Sequence, residues 1–536
     1  MTAAEGIDSE KRQHDLASPK LLEADVVSQC IGDFGRWQLH ITFLLSLLNF
    51  PCTFHIYAPT FEAPDSDFWC APPARFAKIG VTEWTNISHT WDKNENGELR
   101  PNPCYLKDLN YELDSVADLR RKSALTVNLL KCKKWDYDRT KFGETIVSEW
   151  DLVCEKATMK NFAEMSFLAG VAVGGLASGF ISDRFGRKMT LMWSISAQIA
   201  LGIAVALSPC YWIYVALRCA LGFVCVSIVF CGFVLSIELV GGKWVTISGV
   251  SYLATIPLGY IAMAGIAYYI KGWRVLQLVV TLTAVIFPIL SRCFVESPRW
   301  LITMRDSEKA LQVMEKIAIS NKRDLPADAK MLIRQAILDQ GGKDDAHKVG
   351  FMDLFNTAEM RKISFVLYIV WFSVYLVYYG LVMNVQEWGG DIYLNSIISA
   401  IVELPAIGAS IIILLKMGRR VPFCLVTVLA GVACLMTMFT NKSEGSLMFI
   451  SLATAARFFI ASSNVVMPVI TAEKFPTSIR NLGVGSSNVP AGIALLLVPY
   501  LWNVAGMMKI NPMAILGVCS IVGGLSVLIL PGSTHL

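Results

Sequence analysis

Apolar residues along this chain gather into twelve runs, near 37–58, 159–181, 189–208, 211–234, 244–269, 273–295, 363–383, 393–415, 422–440, 446–472, 481–504 and 512–531. Each approaches the ~20 residues that a helix needs to cross a bilayer's hydrocarbon core, about twice what a spanning strand needs. Two polar segments interrupt the pattern, 59–157 after the first run and 296–362 after the sixth. The pattern predicts an all-α integral membrane protein with twelve transmembrane helices in two six-helix bundles. Its parts are a polar start (1–36), the first span (37–58), a large loop (59–157), five spans completing the first bundle (159–295), a helical linker (296–362), the second bundle (363–531) and a short tail (532–536).

Composition agrees, since 54% hydrophobic and 17% charged residues over 536 positions leave too little polar surface for an ordinary soluble protein. The net charge of +4 says little, but its placement orients the chain. Short loops carrying Arg184, Arg187 and Lys188, then Lys243, then Lys416, Arg419 and Arg420, then Lys474 and Arg480 alternate with loops poor in Lys and Arg. Basic loops face the cytosol, so both termini are expected there and the 59–157 loop outside the cell, in the plasma membrane. The polar start reads as a cytosolic segment, and no signal peptide is expected in it. In an oxidising compartment Cys70, Cys104, Cys132 and Cys154 are candidates for two disulfides, with three pairings open. Asn86-Ile87-Ser88 is a glycosylation sequon in the same loop; a second, Asn441-Lys442-Ser443, lies against a helix end.

The two halves echo each other at an offset of about 235 residues, as parallel repeats do in transporters. Gly186-Arg187-Lys188 matches Gly418-Arg419-Arg420, Arg218 and Glu238 match Arg457 and Glu473, and Pro257 matches Pro490. Two bundles related in this way place a cavity at their interface, where rocking exposes it to each side in turn.

The loop from Gly179 to Lys188 resembles the pattern G-x3-D-R-x-G-R-[RK] of the major facilitator superfamily, and Arg218-Cys219-Ala220-Leu221-Gly222 resembles its R-x-x-x-G in span four. Three features are similar to the organic cation, carnitine and organic anion transporter family (solute carrier 22-like). They are the large loop after span one, Glu296-Ser297-Pro298-Arg299-Trp300-Leu301 after span six, and the segment from Thr471 to Asn481. The resemblance runs from Ile31 to span twelve.

Charges in or beside spans cost about 2.5–3.5 kcal/mol each on insertion scales, so they face a cavity or a partner. Asp183, Arg184 and Arg187 read as a cytoplasmic gate, and the resemblance implies that Arg218, Glu238, Arg457, Glu473 and Arg480 join it. Glu403, two residues before Pro405 with no cation in its own helix, needs a partner from elsewhere: a cationic substrate, an Arg of another span or a proton. Aromatic rings bind organic cations through their quadrupoles. Trp371 and Tyr378, two helical turns apart, and Tyr252 match aromatic positions of the family's cavity, so Tyr252, Trp371, Tyr378 and Glu403 are the candidate substrate-binding set. Gly170, Gly174, Gly175 and Gly179 give GxxxG spacings that bring helices close.

The chain departs from the family where a charged residue of span eleven is replaced by Gly492, and in the second half's loop, where an acid is missing before Gly418. The expected function is alternating-access transport of small organic cations or zwitterions, facilitated and driven by membrane potential. The alternatives are an organic anion or carnitine-like carrier, and a non-transporting membrane protein whose loop binds an extracellular partner. No catalytic, metal-ligand or phosphate-loop spacing occurs, so no enzyme activity, cofactor or metal is expected. The expected partners are a small organic solute and the lipid bilayer, with no nucleic acid; the pattern does not set an oligomeric state.

Overall fold

The computed structural model describes residues 25–64, 66–93, 99–126, 128–290, 293–341, 351–416, 419–440, 447–475 and 480–530. Twelve helices among them are long and apolar enough to span a membrane: α1 (Arg36–Glu62), α2 (Cys154–Phe185), α3 (Arg187–Ala206), α4 (Tyr211–Glu238), α5 (Trp244–Tyr269), α6 (Trp273–Leu290), α7 (Ala358–Met383), α8 (Ile392–Ile412), α9 (Arg420–Phe439), α10 (Leu447–Lys474), α11 (Gly483–Met507) and α12 (Pro512–Ile529). They alternate in direction, so the long segment between α1 and α2 marks one end of the bundles, the loop face, and the segment between α6 and α7 marks the other, the linker face.

Close packing inside the first bundle depends on small residues, as the GxxxG spacing anticipates. A side chain at Gly174 would meet the Phe223 carbonyl of α4 at 2.6 Å, and Gly170 and Gly222 press against the facing backbone in the same way. Gly175 and Gly179 face open space, so only half of the glycine series makes the contact. The bundles meet along two seams, α2 against α11 and α5 against α8.

The segment between α1 and α2 is a folded unit with its own core of Phe76, Trp84, Ile87, Leu109 and Leu119. Strand β1 (Phe68–Cys70) pairs antiparallel with β5 (Trp135–Tyr137), and β2 (His89–Lys93), β3 (Leu99–Lys107) and β4 (Leu129–Lys131) form a second sheet. Of the three pairings open in the sequence, the structure adopts Cys70–Cys132 and Cys104–Cys154. The second ties β3 to the start of α2. On the linker face, helices Pro298–Thr303 and Ser307–Ser320 brace the first bundle. Asn321 accepts from the Trp37 amide at 2.9 Å and donates to Gln38 Oε1 at 2.7 Å, and Arg299 pairs with Asp25.

Candidate functional site

The centre of the second bundle holds a buried ion pair. Arg457 Nη2 of α10 donates to Glu403 Oε2 of α8 at 2.6 Å, and Tyr378 of α7 donates its hydroxyl to Glu403 Oε1 at 2.5 Å. The Arg457 guanidinium lies 3.9 Å from the Tyr378 ring centroid. Both oxygens of Glu403 are therefore engaged, by an arginine from another span. Such a pair is neutral as a unit, and removing one partner leaves the other as an uncompensated buried charge, at about 3–5 kcal/mol.

Tyrosines surround the pair. Tyr375 and Tyr379 flank Tyr378 on α7, with ring centroids 5.7 Å apart. From the first bundle Tyr57 of α1 lies within the electrostatic reach of Glu403 and Arg457 and stacks on Tyr260 of α5 at 4.1 Å. Tyr260 then donates to Ser396 Oγ of α8 at 3.0 Å, across the seam between bundles. Trp371 joins the group by stacking on Tyr375, with its indole N–H fixed on Thr471 Oγ1 at 2.9 Å. Tyr252 stands apart. It packs inside the first bundle, 2% exposed, with its hydroxyl donated to the Val229 carbonyl of α4 at 3.1 Å. Tyr57 and Tyr260 escaped the sequence reading because many aromatics in the spans carry the same local signal.

At the linker face, Arg187 makes a two-pronged bond to Glu238, Nε to Oε2 at 3.2 Å and Nη2 to Oε1 at 3.1 Å, and reaches Asp183 at 2.9 Å. Glu296 accepts from the Arg187 and Lys188 amides at 2.9 and 3.1 Å, a carboxylate at the positive end of α3. Its motif was visible in the sequence, but its role as a cap was not. Gly186, at φ +96°, makes the turn between α2 and α3, and a Cβ there would lie 2.5 Å from Glu296 Oε2. Arg184 lies over the neighbouring Phe185 ring. In the second half Arg419 pairs with Glu473, the repeat image of Arg187 with Glu238. The Arg480 side chain, Gly418 and the Asn441 sequon lie outside the described residues.

Arg218 and Arg457 do not join this linker-face network. Each lies nearer the loop-face end of its helix than the linker-face end and is buried: Arg457 on Glu403, Arg218 on the His55 carbonyl at 3.2 Å and over the Phe167 ring at 4.4 Å. Helix position explains the separation, since Arg218 lies 20 residues before Glu238 on α4, about 30 Å at 1.5 Å per residue.

Aromatic side chains close the loop face across the bundles. Tyr393 at the start of α8 stacks on Phe61 of α1 at 5.6 Å and meets Tyr268 of α5 at 5.5 Å and Phe142 of the loop unit at 6.4 Å. On the linker face, the ion pairs Arg187–Glu238 and Arg419–Glu473 each stay within one bundle.

Two repeated six-helix bundles that meet along two seams, with a charge pair buried in the second bundle, define a transporter of the major facilitator class. Residues 138–531 match the family model described as "Sugar (and other) transporter". The chain is 30% identical over 512 residues to the "Organic cation transporter protein" of Drosophila melanogaster, covering 95% of this chain and 91% of that one. It is also 30% identical over 520 residues to "Solute carrier family 22 member 2" of Homo sapiens, covering 93% and 91%. The xylose transporter XylE from E. coli shares the fold, with TM-score 0.62 at 15% identity over 93% of this chain and 97% of that one. The chain belongs to the solute carrier family 22 branch of these transporters, the organic cation, carnitine and organic anion family. It is a multi-pass membrane transporter and not an enzyme.

Proposed function

We propose that this transporter carries small organic cations or zwitterions across the plasma membrane by alternating access, with the loop face outside the cell and both termini in the cytosol. The observation that carries the reading is the Glu403–Arg457 pair set among Tyr57, Tyr375, Tyr378 and Tyr379. A cation binds by displacing Arg457 from Glu403 and resting on tyrosine faces, at about 0.5–2 kcal/mol per ring. A zwitterion does better, because its ammonium takes Glu403 while its carboxylate takes Arg457, and neither buried charge is left alone. Trp371 and Tyr378 line this site on the same reading, and Tyr252 reaches it only after α4 and α5 part. The aromatic closure at Tyr393 supports a conformation shut to the outside, with Asp183, Arg184, Arg187, Glu238, Glu473 and Arg480 as the cytosolic gate. Asn86, exposed on helix Val81–Ser88, is available for glycosylation on this orientation. Transport of net positive charge is driven by the potential, at about 2.3 kcal/mol per charge per 100 mV.

An organic anion or carnitine-like carrier is the second reading, favoured by Arg457, whose Nε has no partner among the described residues, and by Gly492 in place of a charge. Uptake of a labelled organic cation and a labelled organic anion, measured at two membrane potentials and normalised to surface copies, separates the two. Potential-sensitive cation uptake weakened by Glu403→Gln supports the first reading; anion uptake alone establishes the second.

A further inference from the structure

Contacts from the first bundle meet one face of α8 in succession. Tyr393, Ser396 and Glu403 stand at positions i, i+3 and i+10 of that helix, so they share a face over about 15 Å. Nearest the loop face, the Tyr393 ring stacks on Phe61 of α1 at 5.6 Å. One turn deeper, Ser396 Oγ accepts the Tyr260 hydroxyl of α5 at 3.0 Å. Two turns deeper again, Glu403 and its partner Arg457 lie within the electrostatic reach of Tyr57 of α1. Tyr57 and Phe61 are one turn apart on α1, and Tyr260 links them. Its ring stacks on Tyr57 at 4.1 Å, with 27° between the planes, and lies 6.5 Å from the Phe61 ring.

The middle contact differs in kind from the other two. Stacked rings slide over one another at little cost, whereas a hydrogen bond needs its two groups aligned. Tyr260 is 1% exposed and Ser396 fully buried. Their bond therefore forms when the bundles are closed and in register, and parting of the seam exchanges it for water.

We infer that Tyr260 is the positioning residue that couples occupancy of the Glu403 site to closure of the loop face. A cation held between Glu403 and Tyr57 fixes the Tyr57 ring. The Tyr260 ring stacked on it is then held where its hydroxyl reaches Ser396, one turn below the Tyr393 closure. The bound cation thereby favours the closed arrangement over the open one, which is the differential interaction that a ligand needs in order to shift a conformational equilibrium. The inference deepens the cation reading above and rests on it for the identity of the ligand.

Spin labels on ketone side chains introduced at Leu207 and Met507 report the loop face, because both positions are exposed there, one on each bundle, and the native cysteines stay untouched. In the purified full-length protein in lipid nanodiscs, saturating tetraethylammonium is expected to convert open distances to closed ones. That change in the open-to-closed ratio is expected to fall at least ~3-fold in Tyr260→Phe and in Ser396→Ala, with no further fall in the double variant. Binding of radiolabelled tetraethylammonium to the same samples is expected to persist in Tyr260→Phe, since the ring that stacks on Tyr57 is kept. A wild-type response in Tyr260→Phe, additive losses in the double variant, or binding to the wild type without closure each overturn the coupling. Loss of binding in Tyr260→Phe overturns it too, by making Tyr260 part of the cation site. If the wild type binds no tetraethylammonium, the cation reading fails and the ligand-free distances decide the Tyr260 contact. An open fraction raised in both single variants, and no further in the double, upholds it as the latch of the loop face; unchanged distances overturn it.

Discussion

Arg457 and Glu403 are worth more together than either is alone, because among the described residues each is the only full counter-charge the other meets at hydrogen-bond distance. Glu403→Gln is expected to destabilise the protein by about 3–5 kcal/mol, and Glu403→Gln with Arg457→Met to restore much of that while leaving uptake lost. Thermal unfolding in detergent beside surface-normalised uptake checks both; a double variant no more stable than the single one would refute the pairing. In the loop unit, His89 is buried with Nδ1 2.7 Å from Ser88 Oγ, and Nε2 accepts from the Cys70 amide at 3.2 Å. Burial pushes its pKa down to about 4. The unfolded chain takes up this proton near pH 6.5 and the folded one does not, so stability falls as pH drops from about 6.5 toward 4, by about 2–3 kcal/mol. His89→Gln is expected to remove that part of the pH dependence of unfolding, measured as the difference between wild type and variant. The sequence marked Glu403 and Arg457 separately.

At the scale of helices, Gly492 of α11 turns out to be a contact position. A Cβ there would lie 3.0 Å from the Ala172 Cβ of α2, on the seam between bundles. The span-eleven position where the family resemblance led to the expectation of a charge is therefore a site of close approach in this chain. Gly492→Val is expected to wedge this seam and cut uptake several-fold with the protein still folded, and Gly492→Ala to be milder. Uptake with unfolding midpoints for both variants tests this, and unchanged uptake in Gly492→Val counts against a tight seam. Pro257 illustrates a second device. Helix α5 is interrupted at Ala254, and the Tyr252 carbonyl beside the break accepts from Asn49 Nδ2 at 2.9 Å and Thr255 Oγ1 at 2.8 Å. An interruption at membrane depth is tolerated because protein groups satisfy it. The proline was legible in the sequence, but the support of the nearby break by Asn49, 203 residues from Tyr252 in the chain, was not.

For the whole molecule, alternating access requires the Tyr393 closure to open. Cysteines replacing Phe61 and Tyr393, whose rings stack at 5.6 Å, are expected to cross-link on oxidation and halt uptake, with recovery on reduction. Uptake that continues with the cross-link formed would show that this contact does not gate the path. By itself the sequence determined the twelve spans, their division into two repeated bundles, the four loop cysteines and the family, because hydropathy, spacing and motif order lie along the chain. Only the tertiary structure decided which cysteines pair, that Arg218 and Arg457 leave the linker-face network, and that Tyr252 packs inside the first bundle rather than beside Glu403. The physical reason is that lipid is about as apolar as a neighbouring helix, so hydropathy sets that a helix spans the membrane but barely constrains how it is rotated about its axis or which helix it faces. Those choices belong to close packing and to the pairing of buried charges, which act between residues far apart in the chain.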